Sequence, residues 1–156
     1  GYLRFRVSSV TIRPANVSDA QAVATLSGCL GYAVDAPSTA EFLEQISEEP
    51  GHAVWVAEYD GMVAGWIEFA TLRSVTTPHE VLIIGLVVDE ACRGKGIGKR
   101  LVLAVEDWGF KQGLAAVRVR SQVKRSDAHR FYEGLGYGLV KSQHMFRKGL
   151  HDSGPG

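Results

Sequence analysis

Residues 81–101 limit the possible folds of this chain more than any other stretch. Residues 81–88 are an unbroken, largely β-branched apolar run that Asp89 and Glu90 bring to a stop. A strand buried on both faces has this composition. Gly94, Gly96 and Gly98 then alternate with Arg93, Lys95, Ile97 and Lys99 before a helical pattern begins. Glycine at every second place permits positive φ and removes side chains from one side of the loop. Successive N–H groups can then turn inward as an anion-holding nest, with the positive end of a helix dipole behind them. Strand, basic glycine loop and helix together predict a phosphate-binding turn.

Two familiar phosphate loops do not fit. A Walker A loop would have a glycine five places before Gly98-Lys99 and a hydroxyl after it, and those places hold Arg93 and Arg100. A dinucleotide fingerprint would put its third glycine at Lys99 and would belong to an opening strand, whereas about half the chain precedes this one.

The chain of 156 residues is read as one domain with an N-terminal extension, residues 1–9, a domain at 10–148 and a flexible tail at 149–156. Lys plus Arg equals Asp plus Glu at 17 each, so there is no bulk field to attract nucleic acid or an anionic membrane. Neither partner is expected. The basic loop is a local feature, suited to a small anion. No apolar run approaches membrane-spanning length, and two distant cysteines, Cys29 and Cys92, provide no disulfide framework. A reducing cytoplasm is the expected setting.

Along the chain, residues 10–14 read as a short strand ended by Pro14. Asn16 opens a helix whose apolar residues recur through Leu30, and Ser38 or Thr39 caps a second, with Ser38-x-x-Glu41 as its capping box. Residues 53–59, an Asp60-Gly61 turn and residues 62–69 form a hairpin. After the central strand and the glycine loop, a helix ends at Gly113. A strand at 116–121, a short helix at 128–135 and two closing strands at 137–141 and 143–148 complete the order. It predicts an α/β mixed sheet with helices on both faces.

The loop Arg93-x-x-Gly96-x-Gly98, after a strand ending Leu-Val-Val-Asp89, resembles motif A of the GNAT superfamily of acetyl-CoA-dependent N-acetyltransferases. The segment Ala128-His-Arg-Phe131-Tyr132-Glu-Gly-Leu-Gly-Tyr137 resembles a second signature of that family, and the element order matches over nearly the whole chain. The resemblance implies acetyl-CoA as cosubstrate and no metal. Its pyrophosphate would lie on Arg93, Gly94, Lys95, Gly96, Ile97, Gly98 and Lys99, and its pantetheine along the backbone of Leu86, Val87 and Val88. Phe131 would pack along the same arm, and Tyr132 would protonate the departing sulfur. Many relatives carry Asn where this chain has Arg125, which is also placed at the coenzyme. A low-specificity likeness extends to bacterial aminoglycoside N-acetyltransferases.

The chemistry accounts for these residue types. A thiol has pKa about 8.5 and a phenol about 10, so tyrosine is protonated at neutral pH and can donate as the thiolate leaves. An alkylammonium is the harder problem, since only about one in 2,500 is neutral at pH 7. A carboxylate is the usual remedy. Glu80, on period-two counting, shares a face with Leu82, Ile84 and Leu86 and is expected to be the base. Glu68 is its rival and His79 a weaker third, while Cys92 has no evident base to make it a nucleophile. Tyr32, Trp66 and Glu68, with Trp55 and Arg73, are expected to shape the acceptor site. The expected activity is acetyl transfer to a small primary amine by direct attack in a ternary complex, by a monomer or homodimer. A protein acetyltransferase and a silent coenzyme-binding module are the alternatives.

Overall fold

The computed structural model describes residues 9–121 and 126–151, in two compact units divided after Arg120. The first contains β1 (Thr11–Pro14), α1 (Ala20–Ser27), α2 (Ala36–Ile46), β2 (His52–Tyr59), β3 (Met62–Leu72), β4 (Glu80–Val88), α3 (Ile97–Lys111) and β5 (Val117–Val119). The strands lie in spatial order β1-β2-β3-β4-β5. The first four form an antiparallel meander, and β5 joins β4 in parallel after the α3 crossover. The mixed sheet read from the sequence is therefore present.

Local chemistry sets most boundaries. Asn16 and Asp19 form a reciprocal capping box ahead of α1. The Asp60-Gly61 turn has φ 53° and 74°, positive at both residues as a two-residue hairpin of right-handed twist requires. The cap of α2 differs from expectation. It is Asp35, whose carboxylate accepts the Ser38 N–H at 2.7 Å, with Pro37 in the first turn. The backbone N–H of Ser38 is consumed by that bond, so Ser38 is inside the helix and not its cap.

The sheet has a different helical cover on each face. Ile67, Phe69, Val81 and Ile83 lie under α3 with Ile97, Leu101, Val102 and Val105, all almost completely buried. On the other face Val54, Val56, Trp66 and Val87 pack with Val23, Leu26, Leu43 and Ile46 of α1 and α2. Each such side chain contributes about 1.5–3 kcal/mol on leaving water. At the sheet edge, Arg13 of β1 binds Asp19 at 2.7 Å and Glu58 of β2 at 2.8 Å. The Arg13 guanidinium holds the Asp19 carboxyl below its usual range.

The second unit contains α4 (Ser126–Gly134), closed by Gly136 at φ 93° with its N–H bonded to Glu133 O. The two closing strands expected at 137–141 and 143–148 are not formed; residues 137–149 carry no regular structure. A strand persists only where a partner takes its ladder bonds and a neighbour covers one face. Leu139, Val140, Met145 and Phe146 have no such cover and are exposed.

Candidate active site

A single extra residue reorganises β4. Glu68 pairs with Gly85 while the next residue, Phe69, pairs with Ile83, so Ile84 is a bulge with no opposite number on β3. A bulge shifts the alternation of side chains by one place. Before it, Val81 and Ile83 face α3; after it, Leu86 and Val88 do, paired with Ile67 and Gly65. Glu80 and Leu82 instead share the opposite face with Gly85, Val87, Trp66 and Glu68. The expected alignment of Glu80 with Leu86 is thus incorrect, because period-two counting does not survive an inserted residue.

The bulge also marks a change at the other edge of the strand. Parallel pairing with β5 covers only Val81, Leu82 and Ile83. Among the described residues, the β5-side edge of 84–88 has no ladder partner. Leu86, Val87 and Val88 therefore lie on a strand edge with backbone groups available to an extended ligand. This edge leads into the glycine turn. Gly94 and Gly96 have φ 84° and 75°, and a Cβ built on either meets nothing within 4 Å, so the turn is left-handed and open.

Gly96 is the N-cap of α3 and offers no side chain to the first turn. The first intrahelical bond is Arg100 N–H to Gly96 O at 3.0 Å. Among the described residues, the N–H groups of Ile97, Gly98 and Lys99 have no acceptor, as expected of a helix N-terminus prepared for an anion. The Ile97 side chain is buried against the sheet, so only its backbone can serve that role. Arg93, Lys95 and Lys99 are exposed around the turn, with Lys95 Nζ 5.6 Å from the centroid of the Tyr59 ring.

The two carboxylates differ sharply. Glu80, 12% exposed, is held by Arg118 of β5, with Nη2 at 3.1 Å and Nε at 3.2 Å. It lies six residues from Leu86, about 20 Å along the strand. Glu68 stands across from Gly85, about 5 Å away between Cα atoms, beside the bulge. Its Oε2 lies 2.7 Å from His52 Nε2, and His52 Nδ1 lies 3.3 Å from Glu49. His79 is exposed in the loop before β4.

The aromatic expectations need revision. Trp66 is a core residue, 8% exposed beneath α1 and α2, with its ring edge against Gly85, where a Cβ would come within 3.0 Å. Its indole N–H has no acceptor among the described residues. Trp55 packs edge-on against Phe69 at 4.8 Å on the α3 face, away from Glu68. Tyr32 is exposed on the α1–α2 connection, and Arg73 is exposed after β3. In the second unit, Tyr132 packs between Phe131 at 5.1 Å and Tyr137 at 5.7 Å. Burial pushes the Tyr132 phenol up to about 12. Arg125 lies outside the described residues.

Two features escaped sequence reasoning. His52 was passed over because a lone histidine at a strand start has no signal of its own. The other was legible: residues 14–72 contain nine Asp or Glu and no Lys or Arg, a charge asymmetry hidden by the zero net charge. That acidic segment supplies α1, α2, β2 and β3, while the glycine turn is basic.

A GNAT-family acetyltransferase model matches residues 21–137. Over 75 residues the chain is 39% identical to an uncharacterized N-acetyltransferase, YhdJ, of Bacillus subtilis (strain 168), covering 48% of this chain and 52% of that protein. An aminoglycoside N(6')-acetyltransferase type 1 of Stenotrophomonas maltophilia is 29% identical over 151 residues, covering 94% of this chain and 97% of the relative. Among solved structures, the aminoglycoside N-acetyltransferase AAC(6')-Iy in complex with CoA matches with a TM-score of 0.82 at 21% identity, over 94% of this chain and 99% of the other. The chain spans about half the length of YhdJ and 63% of the E. coli relative YjgM. No helix among the described residues is long and apolar enough to cross a membrane. By the extent of the family match and the shared fold, the chain belongs to the GNAT family of acetyltransferases.

Proposed function

We propose that this protein transfers the acetyl group of acetyl-CoA to a small cationic amine by direct attack in a ternary complex. The observation that carries the reading is the β4 edge at residues 84–88, which among the described residues has no ladder partner on its β5 side and runs into the open, left-handed turn at Gly94 and Gly96. When bound, acetyl-CoA supplies an activated acyl thioester and a thiol leaving group. The N–H groups of Ile97, Gly98 and Lys99 would hold its phosphates with Gly94, Gly96, Arg93 and Lys95. The backbone of Leu86, Val87 and Val88 would pair with the pantetheine amides, and one N–H there would polarise the thioester carbonyl.

Glu68 is the better base of the two carboxylates. It sits beside the bulge on the acidic side of the sheet, whereas the charge of Glu80 is already matched by Arg118 at the far end of β4. A carboxylate at Glu68 would attract the ammonium and then take its proton. The acid role of Tyr132 is supported by the family motif and by a phenol that burial keeps protonated. Tyr32 and the acidic segment 14–72 would border the acceptor. The name of the Stenotrophomonas relative favours small polyamine acceptors.

Mass-spectrometric detection of acetylated products, with acetyl-CoA and a panel of small amines against protein and peptide acceptors, tests this reading. Turnover of small polyamines is expected. Turnover confined to protein acceptors would replace the substrate class, and acetyl-CoA binding without turnover of any acceptor would make the protein a binding module.

A further inference from the structure

Resting on the reading of Glu68 as the base, we propose that His52 is its positioning residue. His52 Nε2–H donates to Glu68 Oε2 and leaves Oε1 as the atom that takes the proton of the acceptor. The two heavy atoms are 2.7 Å apart, within the range of an N–H···O hydrogen bond. Among the described residues Oε2 is the only Glu68 carboxylate oxygen with a hydrogen-bond partner.

The imidazole is held from several directions. Its backbone opens β2 opposite Ala70, one diagonal step from Glu68 on the same face. The preceding Gly51, at φ 80°, accepts the Thr71 N–H at 2.8 Å and anchors that strand end. The ring lies edge-on to Phe42 of α2 at 5.8 Å. Its Nδ1 faces Glu49 of the turn after α2 at 3.3 Å. Side-chain exposure falls from 60% at Glu49 to 21% at His52 and 18% at Glu68. The charged groups facing the ring are thus Glu49 and Glu68, since α1, α2, β2 and β3 contain no Lys or Arg.

The proton balance is simple. One ammonium N–H bond of the acceptor breaks and a Glu68 Oε1–H bond forms; the freed nitrogen pair then forms the C–N bond as the thioester C–S bond breaks, and the second proton of that nitrogen ends on the departing thiolate. The His52 Nε2–H bond stays intact, and Glu68 afterwards returns its proton to water. A donated hydrogen bond favours the ionised carboxylate over the neutral acid. Removing it therefore moves the loss of activity at low pH to higher pH.

The test is kinetic. His52→Leu removes the donor, and His52→Gln retains an amide N–H. We expect His52→Leu to move the acid limb of kcat/KM for the amine up by about one pH unit, the worth of one charge-assisted hydrogen bond. Acetyl-CoA affinity should be unchanged, and His52→Gln should restore the wild-type limb. A wild-type pH profile for His52→Leu, with Glu68→Gln impaired, overturns the positioning role alone. A fully active Glu68→Gln overturns the base reading and this inference with it. Should His52→Leu not fold, the ring 15N shifts of His52 in the wild-type protein decide: Nε2 carrying a proton at pH 7.5 supports the proposal, and a bare Nε2 overturns it.

Discussion

The two halves of β4 have nearly the same apolar composition and quite different surroundings. Residues 81–83 are paired on both edges, antiparallel to β3 and parallel to β5, and the charge of the neighbouring Glu80 is matched by Arg118. Residues 85–88 pair with β3 and, among the described residues, have no ladder partner on the other edge; Glu68 stands beside Gly85 on the adjacent strand. The bulge at Ile84 separates the halves. A strand satisfied on every side is structural, and a strand with a spare edge can take a ligand in place of a neighbour. On this comparison the N-terminal half holds the sheet together, and the C-terminal half is the one proposed to serve the chemistry.

The largest effect expected is at the carboxylates. Glu68→Gln should lower kcat/KM at pH 7 by about 10²–10⁴-fold and recover partly at high pH, where solvent supplies neutral amine. Glu80→Gln should leave turnover within about threefold, since amide and carboxylate share a shape. Its cost should appear as a lower melting temperature, because Arg118 loses its counter-charge. Rate profiles across pH 6–10 with thermal melts compare the two, and the opposite ranking would make the paired half of β4 the catalytic one.

Next in size is Tyr132→Phe, expected to lower kcat by about 10²-fold while acetyl-CoA binding stays the same. The phenol is raised to about 12, so it stays protonated through pH 10. Any basic limb below pH 10 should therefore persist in Tyr132→Phe. The sign for stability follows: this contribution is complete below the unfolded value of about 10 and is lost as pH rises toward 12. Alkaline melts of both proteins provide that check.

Gly96→Asp should weaken acetyl-CoA by about tenfold or more in calorimetry. A non-glycine residue in the left-handed region costs about 1–2 kcal/mol, and a carboxylate at the helix N-terminus would repel the phosphates. Unchanged affinity in a folded variant would detach the glycine turn from the free edge. Smallest is Gly65→Ala. Its Cβ would lie 2.8 Å from the Val87 carbonyl oxygen, so β3 and β4 must separate in the ligand-facing half. A stability loss of about 1–3 kcal/mol in urea unfolding is expected.

Much of this molecule was readable in the chain itself. The positive φ values at Gly94, Gly96 and the Asp60-Gly61 turn, and the Asn16 capping box, depend on residues within four positions of one another. Short-range chemistry decides them, so composition and spacing suffice. The acidic run at 14–72 was equally readable, being a matter of counting. Ser38 was misplaced: the cap of α2 is Asp35, three residues earlier, whose carboxylate accepts the Ser38 N–H.

What the sequence could not determine depended on a second strand or helix. A bulge is a property of two strands in register, so nothing within 81–88 shows that Ile84 is the inserted residue. That one residue decides which carboxylate stands beside the ligand edge. Trp66 became core because α1 and α2 cover its face, and Glu80 became structural because β5 brought Arg118 beside it. The closing strands had the right alternation, yet residues 137–149 formed none, since alternation describes a face and not a partner. The chain by itself determined the left-handed glycine turn and the order of its elements as far as α4, through contacts of a few residues. Only the tertiary structure decided the register and the partners of Glu68 and Glu80, because each is set by groups far apart in sequence.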